Sequence, residues 1–160
     1  MNTNTKTAAI VSLALVGCVG VGVTAASAAS AAAPSKGTGT VTAALTSPVT
    51  ISGSAATPMS CVSKGKVYSV TIAQTSIDGG TVAANATARG YDGPGSYHAR
   101  VTVTALKDGV GFVAGSVAEV PVEITSTGGS FHFERSASGD RAPRAEGAIV
   151  AGSLAWKCPA

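Results

Sequence analysis

The sequence predicts an all-β fold: an antiparallel β-sandwich or open barrel of about eight short strands, with one disulfide. Three observations carry that prediction. From Thr40 onward, apolar residues alternate with polar ones at period two, the pattern of a strand with one buried face. Asp-Gly and Gly-Gly dipeptides punctuate these runs at regular spacing, and they supply the positive φ that tight hairpins require. Composition agrees. Gly, Ala, Ser, Thr and Val dominate, and long-chained helix formers are sparse.

The elements follow in order. Strands are expected at Thr40 to Leu45 and at Val49 to Ser54, and "SKGK" is expected to close a hairpin between Cys61 and Val67. "VYSVTIA" then sets Tyr68, Val70 and Ile72 on one face, and "IDGG" turns the chain. Thr81 to Ala88, "TVAANATA", has alanines that tolerate a helix, but its neighbours favour β. "YDGPG" makes the next turn. "SYHARVTVTAL" places Tyr97, Ala99, Val101, Val103 and Ala105 opposite His98, Arg100, Thr102 and Thr104. After "KDG" comes "EVPVEIT", with Val120, Val122 and Ile124 inward and Pro121 and Glu123 outward. Pro121 cannot donate to a ladder, so this strand is expected to be an edge or to start there. "STGG" leads to "SFHFERS", which sets Phe131 and Phe133 against His132 and Glu134. The closing "AIVAGSLAWKC" sends Val150, Leu154, Trp156 and Cys158 inward. No internal repeat is present.

The 160 residues fit one domain and an export segment. "MNTNTKT" carries one lysine, a mostly apolar run spans Ala8 to Val23, and small residues follow. That reads as a signal over residues 1–28, a small-residue linker over 29–39 and a β domain over 40–160. No second hydrophobic stretch follows, so no separate membrane span is expected. Two processing sites compete. Ala26-Ser27-Ala28 suits an ordinary signal peptidase, with cleavage after Ala28. Leu15-Val16-Gly17-Cys18 is a complete lipobox, with cleavage before Cys18 and acylation of its thiol. Val19, Val21 and Val23 extend the apolar run beyond Cys18 and favour the ordinary site.

With Cys18 removed or lipidated, Cys61 and Cys158 remain. In an oxidising compartment they make one natural pair. Two free thiols or a metal site are the weaker alternatives, because two distant cysteines without a CxxC partner do not hold a metal. The disulfide would lie beside Trp156 and help fill a core with few large side chains.

No catalytic constellation stands out. The net charge of +3 falls to +2 without Lys6, and no basic stripe points to nucleic acid. His98 and His132 sit on polar strand faces and would form a weak metal or acid–base site if their strands paired; two surface histidines is the preferred reading. There is no GxSxG elbow, phosphate loop or dinucleotide fingerprint, and the carboxylates are scattered. Asn85-Ala86-Thr87 is a glycosylation sequon, read as unmodified in a bacterial export context. Arg141 and Arg144, in "GDRAPRAEG", offer charge for an acidic group, against the preferred reading of a solvated loop. Tyr91 and Tyr97 bracket Gly-Pro-Gly and form either a ligand-binding tip or, preferably, packing over the end of the fold. No cofactor or metal is expected.

The lipobox Leu15-Val16-Gly17-Cys18, the stretch "VTISGSAATPMSCVSKGKVYSVTIA" and the closing "GAIVAGSLAWKC" together resemble the mycobacterial nineteen-kilodalton lipoprotein antigen family. The likeness covers most of the chain in layout. It implies an acylated cell-envelope lipoprotein of an actinobacterium-like organism, a disulfide-bonded β domain and no catalysis. By that resemblance Cys18 matches the acylation position, and Cys61 and Cys158 match the disulfide. The resulting expectation is an exported, non-enzymatic envelope protein, monomeric and lipid-anchored at the outer face of the cell membrane. A soluble secreted binding or enzyme-inhibitor module is the alternative, and a small hydrolase is a third.

Overall fold

In the computed structural model, which describes residues 35–136 and 149–160, each strand pairs antiparallel with the next, and the last returns to the first. The strands are β1 (Ser35–Ser47), β2 (Ile51–Lys64), β3 (Val67–Ile77), β4 (Gly80–Arg89), β5 (Gly95–Lys107), β6 (Val110–Ile124), β7 (Gly128–Ser136) and β8 (Ile149–Lys157). They form a closed barrel. The expected sandwich or open barrel is corrected on this point. Closure comes from β1 pairing with β8, in a register that sets Val41 opposite Trp156 and Ala43 opposite Leu154. Full closure removes the sheet edges that a sandwich must protect. The strands are also longer than expected, from 9 residues in β7 to 15 in β6.

Turn chemistry sets the hairpins. Asp78 and Gly79 have φ of 51° and 72°, and Asp108 and Gly109 have 52° and 75°. Both pairs are two-residue loops with positive φ at each central position, the geometry that Asp-Gly favours. Each is closed by a directly paired couple, Ile77 with Gly80 and Lys107 with Val110. The β2–β3 loop has its positive φ at Gly65, between Lys64 and Val67, which pair.

Several boundaries differ from those expected. β1 begins at Ser35, so residues 35–39 of the expected linker are strand. Gly39 makes this possible, because a Cβ there would lie 2.5 Å from Met59 Sδ and 2.4 Å from Lys157 O. The two runs around Val49–Ser54 and Cys61 are a single strand, β2, which continues through Pro58. Pro58 is tolerated because it faces solvent and lies just beyond the last β2–β3 pair, Met59 with Ile72. The ambiguous Thr81–Ala88 stretch lies within β4, paired on both sides. Pro121 is neither an edge nor a start. It lies well inside β6, opposite His98 of β5, and β6 pairs with β7 only from Val122 to Ile124. The missing N–H thus marks where one ladder stops, not where the strand does.

The interior is filled by side chains, as an eight-stranded barrel allows. β4 and β5 contribute small residues, among them Ala84, Ala86, Ala88, Ala99 and Ala105, all buried. The other wall supplies the bulk: Met59, Tyr68, Ile72, Phe131, Phe133, Leu154 and Trp156. Small against large fills the bore without overpacking. Each large aliphatic or aromatic side chain stabilises by about 1.5–3 kcal/mol on burial. Thr57 is the buried polar side chain of the described core. Its hydroxyl donates to Ala73 O at 3.3 Å, across the gap that opens beside Pro58.

Candidate functional site

One end of the barrel is built around the disulfide. Cys61 lies on β2, and Cys158 follows the last residue of β8. Their Cα atoms are 6.0 Å apart and the bond is formed, within the usual span for a disulfide. Cys61 is buried, whereas Cys158 is half-buried. Because β1 lies between β2 and β8, the bond ties together two strands that do not pair. The Cys158 N–H is fixed by Thr127 O at 2.7 Å.

Aromatic residues continue from this bond into the core. Trp156 Nε1–H donates to Tyr68 Oη at 3.1 Å, and that oxygen lies 3.6 Å from Cys158 Sγ. The Tyr68 ring packs on Tyr91 with centroids 5.2 Å apart, and Tyr91 on Tyr97 at 5.4 Å. Trp156 in turn meets Phe131 at 6.0 Å. The indole is accommodated by Gly129, where a Cβ would come within 2.6 Å of Trp156 Cζ2. Burial pushes the Tyr68 hydroxyl above the ordinary tyrosine value, partly opposed by the Trp156 hydrogen bond. Tyr97 is raised too, chiefly by desolvation; the Asp92 backbone N–H opposes this and the Asp92 carboxylate adds to it.

The residues singled out in the sequence fall in different places. Tyr91 is buried in the aromatic stack, and the half-buried Tyr97 places its hydroxyl 2.6 Å from Gly93 O and 2.9 Å from Asp92 Oδ1. This is the packing arrangement. His98 and His132 do not meet, because β6 lies between their strands. His98 is opposite Pro121, and His132 follows Phe131, the partner of Val122. The two histidines therefore lie on strands either side of β6. Among the described residues, no three His, Cys, Asp or Glu side chains gather as a metal site. Cys18, Arg141 and Arg144 lie outside the described residues.

A groove that sequence reasoning missed runs along the outer wall where the β6–β7 ladder stops. It is open to solvent, has a volume of about 440 Å³ and is lined by Pro121 and Glu123, by Phe131 and His132, and by Thr42 and Ser153 among others. Pro121 was the available signal, since a proline inside a long alternating run marks an interrupted ladder. Ser96 donates to Glu123 at its rim. The groove offers hydroxyls, one carboxylate and one imidazole over an apolar floor, a surface for weak polar contact.

Comparison with protein-family models, with curated proteins and with solved structures finds no match to this chain.

Proposed function

We propose that this chain is an exported, non-enzymatic cell-envelope protein, held at the outer face of the membrane by a lipid on Cys18. The observation that supports export best is the Cys61–Cys158 bond, since such disulfides form and persist outside the reducing cytosol. It agrees with the signal-like first 28 residues. A barrel filled by its own side chains suits a rigid carried domain better than a substrate-holding one. The described histidines and glutamates lie on its outer face. Detergent partitioning of the native protein tests the anchor. Membrane-phase recovery that Cys18→Ala abolishes is the expected result, and recovery in the aqueous phase for both forms would refute it.

The second reading is a soluble secreted binding module, favoured by the outer-wall groove beside Pro121 and His132. It predicts aqueous partitioning, and perturbation of the His132 ring resonances by a bound partner.

A further inference from the structure

We infer that the disulfide end of the barrel is a basic face that lies against an anionic lipid bilayer. The charged residues of the described chain are unevenly placed. Lys36 stands at the start of β1, Lys64 and Lys66 flank the β2–β3 turn, Arg89 ends β4 and Lys157 ends β8. All five are exposed. They belong to one end of the barrel, the end where Ser35 pairs with Cys61 and where Cys158 closes the disulfide. None of the five forms an ion pair with a described residue. The carboxylates nearest this end are Asp92, turned to the Tyr97 hydroxyl, and Glu123, which accepts from Ser96. The opposite end is different. There Lys107 is neutralised by Asp78 at 2.9 Å, and Asp108 adds a further negative charge.

A second observation points to a bilayer rather than to solvent alone. Lys64 pairs with Val67, and Val67 with Arg89, so the three share one outward row across β2, β3 and β4. Val67 is 39% exposed; Leu106 and Val110, the other exposed large apolar residues of the described chain, flank the Lys107 turn at the opposite end, where the lysine is paired with Asp78. An apolar side chain between two cations matches a headgroup surface, where the chain dips below and the charges meet phosphates. Connectivity agrees. The chain enters the barrel at Ser35, so whatever precedes it joins at this same end. Only sixteen residues separate Cys18 from Ser35, so the basic end is the end of the barrel nearest the anchor along the chain.

This inference rests on the membrane-tethered reading and deepens it, but its test is separable. Each basic side chain near an anionic surface raises partitioning about fivefold. Lys64, Lys66 and Arg89 together then supply roughly a hundredfold. The attraction fades within a Debye length, about 8 Å at physiological salt.

The experiment is vesicle co-sedimentation of the exported protein. One set of vesicles is phosphatidylcholine alone, and the other contains about 30% phosphatidylglycerol. Binding to neutral vesicles that Cys18→Ala removes reads the lipid only. The excess on anionic vesicles, measured on the Cys18→Ala protein, reads the basic end only. That excess is expected to be large at about 0.05 M salt and to collapse at about 0.5 M. It should fall roughly a hundredfold when Lys64→Ser, Lys66→Ser and Arg89→Ser are combined, and remain unchanged in Lys107→Ser at the opposite end. An unchanged near-ultraviolet spectrum shows that the combined variant is folded. Equal partitioning onto the two vesicle types, or an excess that the combined variant leaves undiminished, would overturn the inference whether or not Cys18 carries a lipid.

Discussion

Tyr68 joins more of the closed end than any other side chain: it accepts the Trp156 N–H, approaches the Cys158 sulfur and packs on Tyr91. Tyr68→Phe keeps the ring but leaves the buried indole N–H without an acceptor. The expected loss is about 1–3 kcal/mol, read from the urea midpoint. Its hydroxyl is raised by burial, which gives a pH dependence of definite sign. Below the ordinary tyrosine value of about 10, both folded and unfolded forms keep the proton and stability is full. As the pH rises past that value, the unfolded chain ionises first and stability falls, through the higher folded value. Tyr68→Phe removes this titrating group, so the fall in stability as the pH rises past about 10 should be shallower in the variant than in the unsubstituted protein, read from urea midpoints across that range. An equally steep fall in both proteins would mean that Tyr68 is not the group responsible. Asp78 works in the other direction. Lys107 holds its carboxyl below the usual range, so its contribution is present above the ordinary aspartate value and lost as the pH drops through the folded one.

At the scale of elements, two prolines and one threonine explain how long strands close a small barrel. Pro58 and Pro121 each sit one residue beyond a ladder's last pair, Met59 with Ile72 and Val122 with Phe131. Beside Pro58, the Thr57 hydroxyl reaches the Ala73 carbonyl where the strands part. Thr57→Val keeps the shape and removes that donor. It should cost about 1–3 kcal/mol in thermal or urea unfolding, and a cost below the error of measurement would mean that the carbonyl finds another partner. The hairpins are simpler to test. Gly79 has φ of 72° with open space around it, so Gly79→Ala adds backbone strain and no clash. A loss of about 1 kcal/mol is expected. These hairpins and the inward faces of β3, β5 and β8 were legible in the sequence, because turn type and alternation are local properties. The continuity of β2 was not. A proline reads locally as a break, and only the neighbouring strand decides whether its missing N–H faces a partner. The outer-wall groove was hidden for the same reason, since it arises from where a ladder ends between β6 and β7. His98 and His132 could be assigned to polar faces from alternation, whereas the strand between them is a matter of topology.

For the whole molecule, closure and the disulfide act together. β1 pairs with β8 across nearly the full length of the chain, and the Cys61–Cys158 bond spans a separation of 97 residues at the same end. The pairing of the two cysteines was legible from their number; the closure was not, because sandwich and barrel share the same alternating strands and differ only in which distant strands meet. In the chain-entropy view, a loop of this size stabilises by about 4–5 kcal/mol. Cys61→Ser should lower the melting temperature by many degrees and leave the remaining thiol reactive in the unfolded chain. Export and a lipid on Cys18 are both read by the intact mass of the native protein, because one spectrum reports the first residue, the acyl chains and the disulfide. The expected chain begins at Cys18, carries acyl groups and gains two hydrogens on reduction. A chain that begins at Ala29 with no added lipid would contradict the lipid anchor.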